Sequence, residues 1–127
     1  MEIYRSIDIE DKIRETLSEH LNAYCAPLPA KFETPCILVQ QTGGDTESTA
    51  SGRGKIDTFV VSIDSRAKTE AEALEYLRTA IAILEASSGT YSALNSHGSW
   101  GQDPVRPDLA MCTATLIIKA HRETISI

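Results

Sequence analysis

Lys55 to Ser65, KIDTFVVSIDS, sets Phe59, Val61 and Ile63 on one side of an extended chain and Val60, Ser62 and Asp64 on the other. That period of two is the mark of a strand with one well-buried face. A few residues later the period changes. In KTEAEALEYLRTAIAILEASSG, Thr69 and Glu72 stand at capping-box spacing, and Leu74, Leu77, Ile81 and Leu84 recur at helical intervals. Gly89 supplies a left-handed stop. Ala73, Ala80 and Ala82 thin the helix surface, so it can lie close against a sheet.

The same reading extends to both ends. Ile9, Ile13, Leu17 and Leu21 recur at i, i+4 and predict a helix from about Asp8 to Tyr24, with Asp8 as cap and Glu10 and Asp11 at the positive end of its dipole. APLPAKFETP ends it with three prolines. Cys36 to Gln41, CILVQQ, reads as a strand, and TYSALNS, 90–96, as another. HGSWGQDPVRPD, 97–108, reads as a loop from its Gly, Pro and Asp content. Met111 to His121 closes as a strand with Cys112, Ala114, Leu116 and Ile118 on one face and Thr113, Thr115, Ile117 and Lys119 on the other. The order α-β-β-α-β-β predicts an α+β fold: a mostly antiparallel four-stranded sheet with two helices packed on one face.

At 127 residues a single domain spanning 1–127 is expected, with enough core to need no staples. Forty-two per cent hydrophobic and 24% charged residues argue against a disordered or fibrous chain. A net charge of -6 argues against a surface that tracks phosphates, so DNA or RNA is a poor first guess for a partner. No apolar stretch reaches the ~18 residues a bilayer span needs, and MEIYRSIDIEDK lacks the pattern of a signal peptide. A soluble chain made in a cytoplasm is expected, without a membrane partner. Cys25, Cys36 and Cys112 are odd in number, widely spaced, and read as reduced.

Candidate chemistry is sparse. SGRGK, Ser51 to Lys55, departs twice from the phosphate-loop pattern: Thr49 stands where its first glycine belongs, and Ile56 follows the lysine. His20, His97 and His121 fall on different elements, with no nucleophile-base pairing in the order of elements. Cys36 and Cys112 fall inside strands, where a thiol acts as a small buried hydrophobe. Asp103 and Asp108 flank PVRP as turn residues and give neither a metal loop's ligand count nor a neighbour that splits their pKa values. No catalytic residue, metal site or cofactor is expected. Trp100, the one tryptophan, is either a lid over the core or an interface anchor.

The second half carries a resemblance. FVVSIDSRAKTEAEALEYLRTAIAILEA, then a Gly-containing turn and GSWGQDPVRPDLAMCTATLIIKAH, resembles the phage tail terminator (minor tail protein U-like) and tail completion proteins of long-tailed phages. The likeness lies in the strand ending VSIDSRAKT, the Ala-rich helix from Glu70, and DPVRPDLAMCTATLIIK, an acidic, proline-bearing loop leading into the last strand. With the opening helix IEDKIRETLSEHL it covers most of the chain, in layout and texture rather than in one short motif. It implies a small α+β subunit that forms a ring, usually of six, on the end of a tail tube. Such a ring stops tube polymerisation and offers a surface to the head connector. The implied partners are copies of itself, the tube protein and the connector, with DNA as passing cargo. The place is a bacterial host cytoplasm during assembly and then the virion. Catalysis and cofactors are no part of that role.

Thr42 to Gly54, TGGDTESTASGRG, holds one apolar side chain, Ala50, and reads as a loop. Ordering it costs on the order of 10 to 25 kcal/mol of backbone entropy. It is therefore expected to be mobile in the monomer and to order against neighbours or the tube. The residues expected at interfaces are Thr42, Gly43, Gly44, Asp45 and Arg53 in this stretch, Lys55 just after it, Trp100, Asp103 and Arg106 in the later loop, and Ile117 on the last strand, with Val60 on the same face. An acidic ring lumen would let DNA pass without sticking. Three alternatives remain: a sibling neck or head-completion protein, a ferredoxin-like ligand-binding module with a concave pocket, or a small enzyme using the Asp103 to Asp108 loop.

Overall fold

The computed structural model describes residues 1–48, 55–87, 91–102, 106 and 108–127. Its elements run β1 (Glu2–Arg5), α1 (Ile9–Ser18), β2 (Ala23–Cys25), β3 (Cys36–Ser48), β4 (Lys55–Ala67), α2 (Glu70–Ala86), β5 (Tyr91–Gln102), β6 (Ala110–His121) and β7 (Glu123–Ser126). The main sheet has the order β2-β3-β4-β6-β5, antiparallel except for the short parallel β2–β3 pair. A second sheet consists of β1 and β7 alone.

The α+β architecture is the expected one, with three short strands added. Period-2 burial sets one face of the sheet: Ile37 and Val39 on β3, Phe59, Val61 and Ile63 on β4, and Cys112, Ala114, Leu116 and Ile118 on β6. Ile9, Ile13 and Leu17 of α1 and Ala73, Leu77, Ala80 and Leu84 of α2 join them in one core cluster. Both helices therefore lie on that face. Ala73 and Ala80 are fully buried, as a close helix-sheet approach requires, whereas Ala82 is exposed. Ser65 also lies on the core face, where its Oγ donates to the Ala73 carbonyl at 2.6 Å and fastens β4 to α2.

Helix starts follow the sequence signals. Asp8 accepts from the Asp11 amide and Thr69 from the Glu72 amide. Helix ends do not. The first helix stops at Ser18 rather than running to Tyr24 because tertiary partners redirect the chain: the Asn22 amide donates to the Tyr76 hydroxyl of α2 at 2.6 Å, and Asn22 Nδ2 donates to the Glu33 carbonyl. Ala23 and Tyr24, expected as helix, instead belong to β2, which pairs with Ile37–Val39. The second helix ends with Ser87 as its cap, and Gly89 lies outside the described residues.

Two expected loops are corrected. The Thr42 to Gly54 connection is strand over Thr42–Ser48: Gly43 pairs with Val60 and the ladder runs on to Ser48 opposite Lys55, after a bulge between Gln41 and Gly43. Main-chain hydrogen bonds to β4 satisfy the backbone there and need no apolar side chains. The ordering partner is the chain's own strand, and residues 49–54 lie outside the described residues. Likewise β5 runs to Gln102, so His97–Gln102 belong to a strand and Trp100 pairs with Cys112.

Candidate interaction surfaces

Four places collect the residues expected at interfaces. The first is the outer edge of β3. Because β2 pairs only with Ile37–Val39, β3 from Gln41 onward has β4 on one side and no strand on the other among the described residues. At the start of this edge the Gln41 amide points away from β4 and donates to Glu10 Oε2 at 3.1 Å. Carrying the antiparallel alternation through the bulge turns the amides of Gly44, Thr46 and Ser48 to the same open side. Thr42 is exposed and its Oγ1 donates to the Val60 carbonyl. Asp45 pairs with Thr58 and Lys55 with Ser48, which places both on this hairpin.

The second is the edge opposite, β5, whose only partner among the described strands is β6. It carries Trp100. The third is the face of the sheet without helices. Leu38 and Cys36 lie there and are buried, but Ile117 is 43% exposed beside half-buried Val60. Register aligns Gly43, Val60, Ile117 and Leu94 in a row across β3, β4, β6 and β5.

The fourth is an open cleft of about 620 Å³ on the helix side of the β3–β4 hairpin. It is lined by Ser6 and Ile7 from the connection between β1 and α1, by Gln41, Gly43 and Gly44 of β3, and by Asp57, Thr58 and Phe59 of β4. Gly44 is required by space: a Cβ there would stand 2.9 Å from the Thr58 carbonyl oxygen. Asp57, only 4% exposed, accepts from Ser6 Oγ at 2.6 Å and from Arg122 Nε and Nη2 at 3.2 to 3.3 Å. Sequence reading missed this cluster, since a lone aspartate in an alternating strand gives no sign of partners 51 and 65 residues away.

Arg106 stands in the connection between β5 and β6. It makes a bidentate pair with Asp108 at 3.0 and 3.1 Å, and its guanidinium stands 5.9 Å from the centroid of the Phe32 ring. The Arg106 side chain, through its hydrogen bonds, holds the Asp108 carboxyl below the usual range. Arg53 and Asp103 fall outside the described residues, so the Asp103–Asp108 juxtaposition does too.

None of the three cysteines is in a disulfide. Burial pushes the Cys25 thiol up, with Glu10 adding to it, and burial does the same to Cys112. Both are thiols rather than thiolates at neutral pH. In the folded chain at pH 7.4, alkylation by iodoacetamide should be slower at Cys25 than at a free thiol and slowest at Cys36 and Cys112. Mass spectrometry with and without denaturant checks this; rapid labelling of Cys112 in the native chain would contradict the burial.

Among the described residues no group of three or more His, Cys, Asp or Glu is placed to hold a metal ion. No described helix is long and apolar enough to cross a membrane. No family model and no curated protein matches the chain.

Proposed function

We propose that this chain is a structural subunit of a long-tailed phage or prophage that assembles head-to-tail into a ring on the end of the tail tube and forms part of the head-tail junction. The observation that carries the reading is the pair of unlike open edges, β3 beyond Gln41 on one side of the sheet and β5 on the other. A ring needs two different patches on each copy. An exposed edge is also a ready site for another chain's strand. The sequence resemblance adds the tail-end role, and exposed Ile117 beside Val60 adds an apolar patch for the tube or connector.

The test is mass and shape. The purified chain should form closed rings at high concentration or on tail tubes built from the same particle's tube subunit, seen by native mass spectrometry and negative-stain microscopy. Thr46→Pro removes one outward amide from the β3 edge and leaves the ladder to β4 intact. It should fold normally and lower ring formation by roughly ten-fold or more, the worth of a lost interfacial hydrogen bond plus a steric block. A wild-type chain that stays monomeric and leaves tubes uncapped would reject the reading.

The cleft favours a second reading, a small ligand-binding module, because apolar Ile7 and Phe59 there adjoin polar Ser6, Gln41 and Thr58. Saturable binding of a small molecule, lost in Phe59→Ala, would carry it over the first.

A further inference from the structure

The β1–β7 ribbon is a separate two-stranded sheet, and every residue in its two strands is exposed or only half-buried. A ribbon of two strands without a packed face has little stability of its own. It leaves the main body by two connections. One passes through Ser6 on the way to α1 and the other through Arg122 on the way from β6. Both of these hinge residues bind the same buried carboxylate, Asp57 on β4. Beyond Ser6 the chain is anchored by Ile7, a core residue.

We infer that the β1–β7 ribbon is a strap hinged at Ser6 and Arg122 and latched by the Asp57 carboxylate, a unit that detaches without the sheet unfolding. The latch takes both connections at once, so one carboxylate fixes the ribbon's direction. The charge-assisted bonds from Arg122 are the stronger part, because they are made to a carboxylate largely withdrawn from water. Within the ribbon Arg5 Nε donates to Glu123 at 2.7 Å, and the Tyr4–Thr124 and Ile3–Ile125 pairs continue it, but two short strands detached from the body hold such pairs only marginally. The strap therefore frays once the latch opens, and its root, Ser6, lines the cleft with Gly43 and Gly44.

Amide hydrogen exchange on the full chain tests this. Asp57→Asn keeps the shape and removes the charge. Exchange in Glu2–Ser6 and Glu123–Ser126 should quicken by roughly ten-fold or more, as expected for losing hydrogen bonds to a charged group, while α2 and the β4–β6 ladder keep wild-type rates. Ser6→Ala and Arg122→Gln, each removing one tether, should give smaller increases in the same segments, larger for Arg122→Gln. Wild-type exchange in the ribbon of Asp57→Asn would overturn the latch. If all three variants instead quickened exchange evenly through α2 and β4–β6, the cluster would be part of the cooperative core, and the strap would be overturned too.

Discussion

Ile63→Ala should destabilise the domain by about 2–5 kcal/mol, the usual cost of removing a large aliphatic side chain from a packed core. Ile63 is fully buried in the central strand of the main sheet, with Val39 and Ala114 as its cross-strand neighbours. The face it shares with them packs under both helices, so neither side can collapse easily into the space left behind. Typical domain stability is only about 5–15 kcal/mol, so this one change removes a large part of the total. Denaturant unfolding should show a lower midpoint with an unchanged slope. A loss under about 1 kcal/mol would mean that the site relaxes and that the core is less tightly packed than described.

Gly44→Val and Gly43→Val should differ in sign. Valine suits strands, and that preference spans about 1 kcal/mol. At Gly43 the added Cβ meets Val60 side-chain carbons at 3.7 and 3.8 Å, ordinary contact, so the change should be neutral or stabilising by up to about 1 kcal/mol. At Gly44 it meets the Thr58 carbonyl oxygen at 2.9 Å, a backbone atom that cannot turn aside. Overpacking of this kind costs about 1–3 kcal/mol and outweighs the propensity. Thermal unfolding of the two variants side by side checks the contrast. Equal midpoints would remove the steric reason for a glycine on this edge.

The two glycines also show how far the site could be seen in advance. They stand in a soft, polar run that reads as a loop from its side chains alone. It lacks apolar residues, and side-chain patterns carry no record of main-chain hydrogen bonding. β4 offers its backbone all the way back to Lys55, and that ladder decides the matter. Trp100 lies in a strand for the same reason: Gly98 and Gly101 read as loop, but β6 supplies the pairing. Ile117 and Val60 were legible on the helix-free face, since alternation alone assigns faces.

What the chain order of residues determined is whatever depends on neighbours a few positions apart. The caps at Asp8 and Thr69, the buried faces of β4 and β6, the helical stripes and the α+β class all follow from periods of 2 and 3.6. What only the tertiary structure decided depends on groups brought together from afar. The end of α1 at Ser18 was set by Tyr76, the extension of β3 by β4, the β1–β7 ribbon by the meeting of residues 2–5 with 123–126, and the burial of Asp57 by Ser6 and Arg122. Hydrogen bonds and ion pairs between distant segments have no period, so they leave no trace in a local pattern.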